Sequence, residues 1–130
     1  MIIWNCLPYP VNIYAVDDVI RNDEHKKYVL KNKRTKPRLV LSPEGKLLNV
    51  RFEKRKIGEI DGIPLYETKL VGVDPIPDEP HYVIVTNLYA NAALRIGLRG
   101  VGKLLVITDP VYSNPDSSKA VGCLGLVKPW

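Results

Sequence analysis

The stretch Ile57-Gly58-Glu59-Ile60-Asp61-Gly62-Ile63-Pro64-Leu65 carries the strongest hairpin signal in the chain. A two-residue type I′ turn needs positive φ at both central positions, and Asp-Gly is one of the few pairs that accepts this. Before it, Leu48, Val50 and Phe52 alternate with polar residues, which predicts a strand with one apolar and one polar face. The sequence therefore predicts a β-hairpin, with residues 63–70 as the return strand.

Short apolar runs between turn-forming residues predict further strands on both sides of this hairpin. They cover residues 2–6, 11–16, 38–41, 81–86, 104–108 and 120–127. One main helix is predicted over about residues 87–96, because Thr86 or Asn87 caps its start and Gly97 ends it. Residues 17–22 are predicted as a turn and residues 24–30 as a short helix. The seven to nine strands predict an α+β fold, a β-rich single domain over residues 1–130 with a mixed or antiparallel sheet.

Length and composition are those of a globular domain. The chain has 130 residues, of which 25% are charged and 45% hydrophobic. No run approaches the roughly 20 apolar residues of a membrane helix, and residues 1–5 lack the features of a secretion signal. These patterns predict a cytoplasmic protein with no membrane partner. The absence of Gln favours a thermophilic source, whereas eight Asn argue against one.

Positive charge is concentrated in one segment. The net charge is +5, but residues 21–56 alone hold thirteen Lys and Arg and only four acids. The loop that carries Lys31, Lys33, Arg34 and Lys36 has no acid, so it is the candidate nucleic-acid-binding element. The alternative is a solvated basic surface, since few aromatic residues interleave with the basic run.

Other motifs predict no catalytic residue, metal or cofactor. Residues 97–103 match the spacing of a phosphate-binding P-loop, but Leu104 stands where Ser or Thr is required, and the loop follows a helix instead of preceding one. Two Cys and two His scattered along the chain form no local ligand motif. Cys6 and Cys123 are expected to be buried thiols, with a bridge between them as the alternative. Enzyme activity stays open but is less favoured than binding.

The turn Leu7-Pro8-Tyr9-Pro10 is the candidate ligand-binding feature. Two prolines one residue apart restrict the backbone, as in a preorganised binding loop. Asn5, Tyr9 and Asn12 cluster around this turn and are the candidate ligand-binding residues. The alternative for Asn5 is that its amide hydrogen-bonds the backbone that the prolines interrupt.

Four pieces occur in order along the chain. They are the opening Trp4-Asn5-Cys6-Leu7-Pro8-Tyr9-Pro10-Val11-Asn12-Ile13-Tyr14, the hairpin Ile60-Asp61-Gly62-Ile63-Pro64-Leu65, the strand–helix pair around His81–Val85 and Ala90–Leu94, and the closing Leu104-Leu105-Val106 with Gly122-Cys123. Together they resemble a family of short phage, prophage and bacterial proteins, which open with an Asn-Leu-Thr-Pro-His-like segment and close with a Gly-Cys strand. The resemblance implies a mobile-element setting and no particular activity.

The chain departs from the family pattern at three places. Tyr9 stands for the family's opening His, Leu7 for its Thr, and Val101-Gly102-Lys103 for an Arg-x-Asp sequence. Any chemistry that depends on those residues in relatives is therefore lost here.

The leading functional hypothesis is a virus- or prophage-type accessory protein, a small non-enzymatic module that binds a protein partner or an anionic ligand. One alternative is a nucleic-acid-binding protein that uses the basic segment 26–56. A second is a structural virion component, and a hydrolase acting on a nucleotide signal is the least favoured. The sequence does not set the oligomeric state.

Overall fold

Short strands build the body of the molecule. A computed structural model describes all 130 residues and contains ten β-strands, one α-helix and two 3₁₀ helices. The strands are β1 (Ile3–Asn5), β2 (Val11–Ile13), β3 (Val19–Asn22), β4 (Lys27–Leu30), β5 (Leu39–Leu41), β6 (Val50–Ile60), β7 (Ile63–Val73), β8 (Tyr82–Ile84), β9 (Leu104–Tyr112) and β10 (Gly122–Val127). The helix α1 spans Asn87–Arg95, and the 3₁₀ helices span Val16–Asp18 and Val101–Lys103. No helix has the length and apolar character needed to cross a bilayer.

Eight of the strands form one mixed sheet that curls into a near-closed barrel. The main path runs β1-β8-β9-β10-β2-β5, and an isolated bridge between Asn5 and Pro43 brings its two ends together. The β3–β4 hairpin joins through parallel pairing of β4 with the end of β9. This confirms a β-rich domain with a mixed sheet and one helix. The term α+β fits loosely, because the helix has only nine residues.

The helix begins and ends where the sequence predicts. Thr86 is the N-cap, and its hydroxyl accepts a hydrogen bond from the Tyr89 backbone N–H at 3.1 Å. Gly97 follows the helix with φ of 67°, a left-handed conformation that costs glycine little. Tyr89, Ala90 and Ala93 pack the helix against a core cluster that contains Val83 and Leu104.

Two local predictions are wrong. Residues 17–22 do not form only a turn, because β3 follows the first 3₁₀ helix, and residues 24–30 form a turn and β4 instead of a helix. The reason is tertiary: Tyr28 and Val29 pair with Val111 and Tyr112 of β9. Backbone pairing with a strand more than eighty positions away outweighs the weak local helix propensity.

The hairpin formed by β6 and β7 is a projecting element, hereafter the arm. Each strand has eleven residues, and the two strands pair only with each other. The predicted turn is confirmed, since Asp61 and Gly62 have φ of 51° and 80°. The predicted apolar face meets the core only at the base of the arm, where Leu48 and Val50 pack against it, whereas Phe52 is 45% exposed.

Asp74 ties the two strands of the arm together at its base. One carboxylate oxygen accepts a hydrogen bond from Arg51 at 2.7 Å, and the other accepts the Asn49 N–H at 2.8 Å. The hydrogen bond from Arg51 is the main reason why the pKa of Asp74 lies below its usual range. The Tyr89 hydroxyl donates to the Asp74 carbonyl, so the same residue links the arm to α1.

Gly62→Val is expected to destabilise the turn of the arm by about 1–2 kcal/mol, because a β-branched residue resists positive φ. The arm packs on the barrel only at its base, so the effect should be local. Amide hydrogen exchange near residues 60–63 should accelerate while exchange in β9 stays unchanged.

Gly58→Val is the matched control, because an added Cβ at Gly58 has no atom within 4 Å and its φ is not positive. Equal exchange rates in the two variants would contradict the strained-turn explanation.

Candidate functional site

Asn5 lies beneath the proline turn and holds it in place. Its side chain is buried, with the residue only 1% exposed. The amide nitrogen donates to the Tyr9 and Leu41 carbonyls, both at 2.9 Å, and the amide oxygen accepts the Leu7 N–H at 3.0 Å. Asn5 thus bonds the interrupted backbone and positions Tyr9, instead of presenting its own amide at the surface.

Tyr9 and Asn12 line a common cavity of about 470 Å³, hereafter the turn groove. The groove is lined by Tyr9, Pro10, Val11, Asn12, Ile107, Lys119, Ala120, Val121, Gly122 and Cys123. Its volume falls within the range of small-ligand sites, and most of its lining residues are hydrophobic. Two of the three candidate ligand-binding residues therefore face the same cavity.

The groove exists because β2 and β10 pair at a single point. Ile13 pairs with Cys123, and the Tyr14 N–H donates to the Cys123 carbonyl at 2.9 Å. Toward the turn the two segments are held by a side chain instead: the Asn12 amide donates to the Val121 carbonyl at 3.0 Å. Gly122 permits this close approach, since a Cβ there would clash with the Asn12 carbonyl and the Tyr14 ring.

The electrostatics of the groove are simple. Lys119 is the only charged residue in its lining; it is exposed, and it forms no ion pair. Tyr9, 49% exposed, adds an aromatic ring to the same cavity. Cys123 closes the floor, and burial raises the pKa of its thiol. A protonated thiol is a poor nucleophile, so the groove offers contacts and one positive charge but no activated nucleophile.

The predicted nucleic-acid residues form a separate feature. Lys31, Lys33, Arg34 and Lys36 are all exposed in the loop between β4 and β5. None of them forms an ion pair, and none lines the turn groove. The Asn32 side chain accepts the Arg34 N–H at 2.9 Å, and the Asn32 carbonyl accepts the Thr35 N–H at 3.0 Å, so the loop is constrained locally.

Cys6 and Cys123 are free and buried, so the alternative of a bridge between the chain ends is wrong for this structure. They belong to different core clusters, one beneath α1 and the other beneath the proline turn. Burial raises the pKa of both thiols, which lowers their reactivity.

The Gly-rich segment 97–103 lacks the strand–loop–helix context of a phosphate-binding P-loop. The segment follows α1 and leads into β9, so no helix N-terminus faces it apart from a three-residue 3₁₀ turn. No group of three His, Cys, Asp or Glu side chains is placed to hold a metal ion.

Residues 119–123 supply the second wall of the groove, which the sequence did not predict. Gly122 was the one usable signal, because a glycine within a strand often marks close approach of another backbone. Nothing in the sequence around Lys119 indicated that it lies across a cavity from Tyr9.

Comparison with protein-family models, with curated proteins and with solved structures finds no match to this chain.

Proposed function

We propose that the protein is a small non-enzymatic binding module whose turn groove takes a group with an apolar body and a negative charge. The observation that carries the proposal is an open, mostly apolar cavity with one unpaired charged lining residue, Lys119. Apolar walls with a few placed polar groups are the usual composition of binding sites. The hydrogen bonds of Asn5 support it further, because they preorganise Tyr9 at the rim.

The proposed setting is that of a virus- or prophage-type accessory protein acting in the host cytoplasm. Its support is the resemblance of the opening segment and the Gly-Cys strand to short phage and prophage proteins. Both segments contribute to the turn groove, through Tyr9–Asn12 and Gly122-Cys123.

Phenyl phosphate is a suitable probe, because it joins an apolar ring to a phosphate. Added to ¹⁵N-labelled protein, it should shift the amide resonances of Asn12 and of Val121–Cys123 more than those of α1. Benzyl alcohol, which has the ring without the charge, should bind more weakly.

Lys119→Met should weaken phenyl phosphate binding by roughly three- to tenfold, since it removes one charge-assisted contact at an exposed site. Lys33→Met is the matched control, because it removes an exposed lysine outside the groove. Equal effects of the two variants, or shifts centred elsewhere, would exclude the proposed site.

Nucleic-acid binding is the second candidate function, favoured by four exposed cations in one short loop with no acidic partner. If the protein binds nucleic acid through this loop, changing Lys31, Lys33, Arg34 and Lys36 to Ser should weaken its binding to duplex DNA by the same factor for every DNA sequence. The salt dependence of log K should flatten by roughly 0.9 for each phosphate that the loop no longer neutralises. Filter binding across a salt series measures both, and unchanged affinity would leave the loop as a solvated basic surface.

A further inference from the structure

The arm extends well beyond the barrel. Eleven residues of strand span about 37 Å at about 3.4 Å per residue, whereas a 100-residue domain has a radius of gyration of about 13 Å. Only the base of the arm packs against the core, where Val50 and Val73 are partly buried. A hairpin that packs on so little of the core is marginally stable by itself in water, so its length needs an explanation.

The shaft and the tip of the arm differ in chemistry. Along the shaft the charges are matched: Arg55 pairs with Glu67, and Lys54 lies 4.4 Å from the centre of the Tyr66 ring. The shaft also exposes Phe52 and Val71, but the tip concentrates four exposed apolar side chains within residues 57–65, which are Ile57 (50%), Ile60 (57%), Ile63 (67%) and Leu65 (40%). A concentrated apolar surface of this kind marks an interaction site.

The tip also carries one unmatched negative charge. Asp61 lies in the turn and forms no ion pair, while its neighbour Glu59 is neutralised by Lys56 at 3.0 Å. The tip is thus an apolar body with a single free carboxylate. This is the chemistry that the proposed function assigns to the ligand of the turn groove.

We propose that the turn groove is occupied by the arm tip of a second copy of this chain. Ile60 and Ile63 would cover the apolar lining, and Asp61 would approach Lys119. The argument is the complementarity of the two surfaces, one apolar and negative and the other apolar and positive. The proposal rests on the proposed function of the groove and names its occupant.

A second copy fits better than the chain's own tip. No residue of the arm lines the groove. The arm is held at its base against α1 by Asp74, and its two strands are hydrogen-bonded along their length. A paired hairpin anchored in this way is held out of its own groove.

The contact is heterologous, since one copy contributes the tip and the other contributes the groove. Such contacts build reciprocal pairs, closed rings or open filaments, depending on the rotation between neighbours. A single hairpin tip buries little area, so the affinity per contact should be weak and the test needs protein up to about 1 mM. Self-association of this kind would also suit a structural virion component.

Complementation between two defective variants tests the proposal. The tip variant carries Ile60→Ser and Ile63→Ser, and the groove variant carries Tyr9→Ala and Lys119→Glu. All four positions are exposed, so both proteins should fold, which far-ultraviolet circular dichroism checks. Sedimentation velocity should show association of the unaltered protein and monomers for each variant alone. An equimolar mixture should form a 1:1 complex, because it retains one intact tip and one intact groove.

The matched control carries Val16→Ser and Ile20→Ser, which remove two apolar side chains of similar exposure outside both surfaces. It should associate as the unaltered protein does. A groove variant that still associates while the tip variant does not would indicate tip-to-tip packing and overturn the proposal. An unaltered protein that is monomeric at about 1 mM, or a mixture that forms no complex, would also overturn it.

A titration with phenyl phosphate distinguishes failure of the self-association proposal from failure of the proposed function. If the protein stays monomeric but phenyl phosphate binds in the groove, the groove is a binding site and its occupant is not a second copy. If phenyl phosphate does not bind there, the proposed function fails by its own test.

Discussion

Asn5→Ala is expected to lower the free energy of unfolding by about 3–5 kcal/mol, because it leaves three backbone groups without their partner. These groups are the Tyr9 and Leu41 carbonyls and the Leu7 N–H. Leu7 is only 2% exposed, so water cannot readily replace the missing hydrogen bond. The turn should also lose its preorganisation, and phenyl phosphate binding should weaken although Asn5 does not itself line the groove. Urea denaturation and the probe titration measure the two effects.

Asn12→Ala is the matched control for this substitution. The Asn12 side chain makes one hydrogen bond, to the Val121 carbonyl, in a partly exposed position. Its removal should cost about 1 kcal/mol. A similar loss of stability for both variants would contradict the tethering role of Asn5.

Gly122→Ala is expected to cost about 3 kcal/mol and to abolish probe binding, because overpacking against backbone cannot be relieved by a rotamer change. An added Cβ at this position meets the Asn12 carbonyl oxygen and the Tyr14 ring. Relief requires β2 and β10 to separate at the Ile13–Cys123 pair, which forms one end of the groove. Urea denaturation gives the stability change, and the amide shifts of Val121 and Cys123 report the groove.

Gly125→Ala is the matched control in the same strand. The nearest atom to its added Cβ is the Thr108 Cγ2 at 3.9 Å, an ordinary contact. This variant should lie within about 1 kcal/mol of the unaltered protein and should still bind phenyl phosphate. If Gly122→Ala behaved in the same way, the close approach of β2 to β10 would not hold in solution.

Features set by neighbouring residues were predictable from the sequence. The Asp61-Gly62 turn follows from the φ angles that this pair accepts, and both angles are positive in the structure. The ends of α1 follow from the hydroxyl of Thr86 and from Gly97. In each case the deciding interaction lies within about four residues, so a short window of the sequence is enough to predict the feature.

The identity of β4 could not be predicted in this way. Residues 24–30 contain enough polar and apolar residues for either a short helix or a strand. Their state is decided by the pairing of Tyr28 and Val29 with β9, which begins more than seventy residues later. The helix and strand propensities of this segment differ by less than the stabilisation that pairing with β9 contributes. The distant strand therefore determines the secondary structure of residues 27–30.

For the candidate site, the sequence by itself determined one wall and the tertiary structure supplied the other. The proline turn with Tyr9 and Asn12 is local, but the bond from Asn12 to Val121 joins residues 109 positions apart. The same division holds for the arm. Alternation and the Asp-Gly turn predicted a hairpin with its return strand over residues 63–70, but they did not show that this strand continues to Val73 or that no other strand covers the hairpin. A strand's own residues set its pleat and its turn, whereas its burial depends on what the rest of the chain packs against it.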